Sequence, residues 1–151
     1  MATSVKTRAS ALYGEDFVRW TEDQAAALRA GDLDALDLEN LAEEIESLGE
    51  NNRRELRSRI SVLVMHLLKW RHQADRRTGS WDSTIRTQRS EIEQLLEQSP
   101  SLRREIGPAL GRMYRTARRN AAAETGLPLA DFPETCPFNP DQVLEEEWLP
   151  D

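Results

Sequence analysis

Apolar residues recur along most of the chain at steps of three and four, the period of a helix with one buried face, and no run alternates in the way a strand would. Phe17, Trp20, Ala27 and Leu28 make the first such stretch, and Gly31 ends it, so a helix is expected over about Glu15–Arg29. Asp37 stands as a helix cap before Leu38, Leu41, Ile45 and Leu48, which step by three and four. The pattern resumes at Leu56, Ile60, Leu63, Leu67 and Trp70 after an eight-residue step. Gly49 and Asn51-Asn52 lie in that gap, so either one long bent helix or two helices meeting near Gly49 is expected.

Arg76-Arg77-Thr78-Gly79 has loop character, and Ser80 is the expected cap of the next helix, which carries Trp81, Ile85, Ile92, Leu95 and Leu96. Ser99-Pro100 marks a break, with Ser99 capping and Pro100 in the first helical position. A fourth stretch carries Leu102, Ile106, Leu110, Met113, Tyr114 and Ala117, with a kink expected at Gly107-Pro108 and an end at Gly126-Leu127-Pro128. The tail, 129–151, is proline-rich yet holds Phe132, Phe138, Val143, Leu144, Trp148 and Leu149. It is therefore expected to lie packed across the domain, with a short helix over Asp141–Glu147 starting at Asn139 or Pro140. The fold expected is all-α: a helical bundle of four to five main helices with a Pro-rich C-terminal wrap, as one domain over 13–150 after a flexible segment 1–12.

Composition adds limits. A chain of 151 residues with 38% hydrophobic and 31% charged content can bury a core without disulfides or a structural metal. The single cysteine, Cys136, excludes an internal disulfide and suits a reducing compartment, so a cytoplasmic location is expected. Met1–Leu12 has no apolar stretch of signal-peptide length, and no run approaches the roughly 18 apolar residues of a membrane span. The net charge of −7 hides three blocks. Residues 1–52 carry 4 basic and 12 acidic side chains, residues 53–119 carry 16 and 7, and residues 120–151 carry none and 8. Either the acidic ends neutralise the basic middle or the middle keeps a face for an anionic partner, and the overall acidity favours neutralisation.

Several strings occur together: Asp16-Phe17 with Trp20, the run Leu38-Glu39-Asn40-Leu41-Ala42-Glu43-Glu44-Ile45-Glu46-Ser47-Leu48, and His66-Leu67-Leu68-Lys69-Trp70. Trp81, Thr84-Ile85-Arg86, Gln88-Arg89, Ser99-Pro100-Ser101-Leu102, Cys136-Pro137 and Trp148-Leu149-Pro150 follow. In this combination, from about Tyr13 to Pro150, the chain resembles the bacterial family of the domain of unknown function 29. The resemblance implies an all-helical fold and supplies neither an activity nor functional residues.

Candidate chemistry is sparse. His66 stands within Val62-Leu63-Val64-Met65-His66-Leu67-Leu68 and is expected to be a buried core imidazole with a hydrogen-bond partner, the alternatives being a metal ligand or a general base. His72, six residues on, faces another way, and no Glu-x-x-His pair of the di-iron type occurs, so no metal or other cofactor is expected. Gln88 falls on the apolar stripe between Ile85 and Ile92 and is expected to be a structural bridge. Arg86 and Arg89 flank it and could line a groove for an anion, which with His66, Lys69, Trp70 and Trp81 makes one candidate surface. Glu39, Glu43, Glu44 and Glu46 are expected to be a solvated face or to pair with Arg53, Arg54, Arg57 and Arg59. Cys136 has no local base, and no phosphate-cradling loop or nucleophile elbow is present.

A non-enzymatic interaction or regulatory module is therefore expected, with a protein partner. The alternatives are binding of nucleic acid or another polyanion through Arg71, Arg76, Arg77, Arg115, Arg118 and Arg119, or a His-centred or metal-dependent enzyme. The long stripe of the second helix also allows a homodimer.

Overall fold

The structure is a computed structural model that describes the backbone from residue 2 and the side chains from residue 5, each to residue 151. Among the described residues six α-helices follow one another: α1 (Ala2–Glu15), α2 (Phe17–Ala30), α3 (Leu38–His72), α4 (Gly79–Gln98), α5 (Ile106–Thr125) and the short α6 (Pro140–Leu144). Among the described residues there is no strand, so the fold is all-α. None of these helices is long and apolar enough to cross a membrane. The segment 1–12, expected to be flexible, carries α1 from Ala2 onward.

Local chemistry explains the ends of these helices. Asp16 caps α2 by accepting from the Arg19 amide at 3.1 Å, and Gly31 ends it in the left-handed conformation (φ 67°), which L side chains rarely adopt. Gly126 (φ 72°) does the same for α5. Asn139 and Gln142 form a reciprocal capping box at the start of α6.

Two expectations are corrected and one alternative is decided. The cap of α4 is Thr78, whose hydroxyl accepts from the Trp81 amide, and Ser80 lies inside the helix. Of the two outcomes left open at Gly49, the single long helix is found: α3 runs for 35 residues, long enough to carry a glycine whose cost is only about 1 kcal/mol. Pro108 makes no mid-helix kink. A 3-10 stretch (Pro100–Glu105) precedes α5, and Pro108 falls in the first turn of α5, where a missing amide costs nothing.

Cα packing divides the chain into two compact units, Met1–Asn51 and Asn52–Asp151. In the first, α1 packs on α2 and on the 33–35 turn. The buried apolar residues described there are Trp20, Ala27 and Leu36. A polar lock joins α2 to the start of α3. Trp20 Nε1 donates to Asp37 Oδ2 at 3.1 Å, Asn40 donates to the same oxygen at 2.8 Å, and the Gln24 amide spans Ala35 O and the Asp37 N–H. Trp20, Gln24 and Asp37 are buried, so each needs the partner it has.

The second unit holds the main core. Leu56, Ile60, Leu63, Val64, Leu67 and Leu68 of α3 meet Ile85, Ile92 and Leu96 of α4 and Ile106, Leu110, Ala117 and Ala121 of α5. The tail is packed as expected. Phe132, Phe138 and Val143 are buried in this core, and Leu144, Trp148 and Leu149 lie against it.

Candidate functional site

Lys69, on the last turns of α3, is 6% exposed, and burying a cation requires partners. It has two. Its Nζ donates to Glu124 Oε2 of α5 at 2.6 Å, and it lies 4.6 Å from the centroid of the Trp81 ring of α4. The helices α3, α4 and α5 are thus tied by one ammonium. His66 lies one turn earlier and is half-buried, short of the full burial expected. Val62, His66 and Trp70 recur every four residues on the half-open side of α3, while Leu63, Leu67 and Leu56 take the core side. His66 Nδ1 lies 2.9 Å from Val62 O, a contact that requires the hydrogen on Nδ1. Burial pushes the His66 pKa below its usual value, and the Lys69 ammonium adds to the shift.

The second member of the expected surface, Trp70, carries the Arg77 guanidinium 5.0 Å from its ring centroid, and Arg77 also donates to Trp70 O. Gln88 is half-buried and accepts from Arg59 at 3.4 Å. Its neighbour Arg89 is the buried residue, at 5% exposure. Both i+3 and i+4 fit a helical face from Ile85. Arg89 takes the inward place because its long stem can lie in apolar surroundings while its head reaches oxygen. Its guanidinium donates to Val143 O at 2.8 Å, and to Gln142 O and Glu146 O at 3.2 Å each. These are carbonyls at the end of α6, where helical amides no longer cover them. Desolvation lowers the Arg89 pKa without a bonded carboxylate to offset it. Arg86 donates to Asp82 at 3.0 Å and to Glu147 at 3.5 Å, which raises its pKa. The residues expected to make one candidate surface are therefore divided among six separate sets of contacts within the chain. A cleft of about 510 Å³ beside Arg86 and Arg89 is also bordered by Glu93, Glu97, Glu145 and Glu146, so it is not a basic pocket.

Of the six arginines expected to bind a polyanion, two are committed to carbonyls. Arg77 bonds to Trp70 O, and Arg118 bonds to Leu129 O and Phe132 O. Arg71, Arg76, Arg115 and Arg119 are exposed and in no ion pair among the described residues. Arg53 pairs with Glu105, and Arg59 with Glu55 and Glu91.

Chemistry at the remaining polar groups is muted. Among the described residues, no group of three His, Cys, Asp or Glu could hold a metal ion. Burial raises the Cys136 pKa and its Sγ donates to Phe138 O, so the thiol stays protonated. Tyr114 donates to Pro133 O, and burial pushes its pKa to about 12. Tyr13 donates to Glu44 at 2.6 Å, and that bond comes first in raising its pKa to about 12.

The first unit holds a surface that helical periodicity alone does not mark out. Eight large apolar side chains there are exposed among the described residues: Val5, Phe17, Val18, Leu28, Leu33, Leu38, Ile45 and Leu48. Leu38, Ile45 and Leu48 are 63%, 67% and 66% exposed, so most of the stripe expected to be buried on the first turns of α3 faces water. The signal in the sequence was the eight-residue step from Leu48 to Leu56, which separates this stripe from the buried one.

A family model described as "Domain of unknown function DUF29" matches residues 12–149. No curated protein and no solved structure matches the chain.

Proposed function

We propose, for a chain that belongs to the DUF29 family, a non-enzymatic interaction module whose working surface is the apolar face of the first unit. One observation carries this: about fifty residues expose eight large apolar side chains and bury only Trp20, Ala27 and Leu36 among those described. Proteins keep contiguous apolar surface out of water unless something else covers it. The polar residues of the second unit support the same reading, since Lys69, Arg89 and Arg118 are all spent on internal contacts. The location proposed is a reducing, cytoplasmic compartment of a bacterium, in keeping with the single thiol of Cys136.

The test is a photo-crosslinking amino acid placed at position 45 and, as a control, at the exposed position 116, in the producing cell. Discrete adducts at position 45 and none at 116 are expected. Equal yields at both positions, or none at either, would refute the module.

A second reading rests on Arg71, Arg76, Arg115 and Arg119, which are in no ion pair among the described residues. Arg112, Arg115 and Arg119 recur at steps of three and four along α5. Retention on a polyanion column that falls steeply with salt, and is lost on Arg115→Ala/Arg119→Ala, is the expected mark of polyanion binding. Flow-through at low salt excludes it.

A further inference from the structure

The exposed stripe on α3 has a width, an edge and a charge, and together these specify what would cover it. At about 100° per residue, Leu38, Leu41, Ala42, Ile45, Leu48 and Gly49 fall within an arc of roughly 120°. One border of that arc is occupied: Glu44 accepts from Tyr13, which brings the end of α1 against it. At the start of the other border, Lys6, Thr7, Ser10 and Ala11 of α1 line a cleft of about 630 Å³ with Leu38 and Glu39. Glu39, Glu43 and Glu46 lie along that border at steps of four and three, all exposed and none in an ion pair among the described residues. Three carboxylates on adjacent turns repel one another; Lys6 shares a cleft with Glu39, whereas no described cation is placed beside Glu43 and Glu46.

We infer that this face docks an amphipathic helix of about three turns whose apolar seam is edged by Lys or Arg. The inference rests on the interaction reading above and names the occupant. The apolar residues at 38, 41, 45 and 48 have the heptad spacing of a helix seam, so a helix lies along them in register. The exposed acidic edge at Glu43 and Glu46 then selects the partner's flank. A basic flank cancels the repulsion among Glu39, Glu43 and Glu46, whereas an acidic flank would add to it. The same charge argues against a second copy, because pairing two of these short faces sets one acidic edge near the other.

The probe is a synthetic three-heptad peptide with Leu at both seam positions, Lys at both flanking positions and Ala elsewhere, titrated into the full chain by calorimetry. A matched peptide with Glu at the flanking positions serves as comparison. The lysine peptide is expected to bind at least tenfold tighter than the glutamate peptide at low salt. Ile45→Glu/Leu48→Glu is expected to lose binding by tenfold or more. That variant is more acidic than the parent, so attraction by charge alone would strengthen binding and only a seam contact predicts loss. Both positions are two-thirds exposed, so the variant keeps its fold, which an unchanged melting temperature checks. Equal binding of both peptides, or full binding to the variant, would overturn the inference. Light scattering supplies a further outcome: a dimer of the parent that becomes a monomer in the variant assigns the face to a second copy and overturns the basic helix. Crosslinks at position 45 with no peptide binding would leave the interaction module standing and remove only this occupant.

Discussion

Arg89 shows how one side chain holds a segment that has little regular structure of its own. The tail around α6 has only five helical residues, so its carbonyls need donors from elsewhere, and the guanidinium supplies them to Val143, Gln142 and Glu146 at once. A single ammonium cannot reproduce that fork. Arg89→Lys is expected to cost about 1.5 kcal/mol, and Arg89→Ala on the order of 3 kcal/mol because carbonyls are then left buried without donors. Urea denaturation measures both losses, and limited proteolysis should cut the tail first. Unchanged stability in the alanine variant would show that the tail is held by Phe138 and Val143 alone. The two histidines make a pH prediction. Desolvation is the main cause that holds both His66 and His72 below the usual 6.5, and His72 Nε2 is buried with no hydrogen-bond partner. The unfolded chain therefore takes up protons first as pH falls, so stability is full above about pH 6.5 and drops below it. Melting temperatures from pH 7.5 to 5.5 should fall, and the fall should be smaller in His66→Gln/His72→Gln.

At the scale of elements, two glycines of α5 should respond oppositely to the same change. Gly111 lies in the helix interior with open space where a Cβ would go, so Gly111→Ala should stabilise by about 1 kcal/mol. Gly126 also has open space, but at φ 72° an L side chain is strained, so Gly126→Ala should destabilise by about 1 kcal/mol. Thermal melts of the two variants give the signs, and shifts in the same direction would deny the cap its role. Stops such as Gly31 and Gly126 were legible in the sequence because the left-handed turn is a local demand on one residue. The cap of α4 was misplaced by two residues because Thr78 and Ser80 offer the same hydroxyl, and only the path of the chain decides which reaches the Trp81 amide. Arg89 was hidden for a similar reason: 88 and 89 both fit one face, and polarity favoured neither. The Lys69–Glu124 bond spans 55 positions and leaves no local trace. The exposed stripe on α3 has the pattern of a buried one, since periodicity reports that a face is apolar and says nothing of what covers it.

Over the whole molecule, the acidic, basic and acidic blocks resolve only in part. Carboxylates of the last block, 120–151, neutralise some of the middle, as Glu124 does for Lys69 and Glu147 for Arg86, while Arg71, Arg76, Arg115 and Arg119 stay exposed and in no ion pair among the described residues. The apolar side chains are as unevenly spread as the charges. The 52–151 unit carries the continuous core, whereas the 1–51 unit buries Trp20, Ala27 and Leu36 around a polar lock. Local opening costs what the buried contacts of a region are worth, so the two units should not open together. Amides in the middle of α2 are expected to exchange with solvent at least about tenfold faster than those in the middle of α4 and α5, a gap of roughly 1.4 kcal/mol in opening free energy. Hydrogen-exchange mass spectrometry resolves this helix by helix. A partner seated on Leu38, Ile45 and Leu48 would bury what the first unit leaves in water, so adding the lysine-flanked peptide should slow exchange in the first turns of α3 and leave α5 unchanged. Uniform protection of α2, α4 and α5 without any peptide would show that the first unit is already as stable as the core, and that its exposed apolar face is no sign of a missing partner.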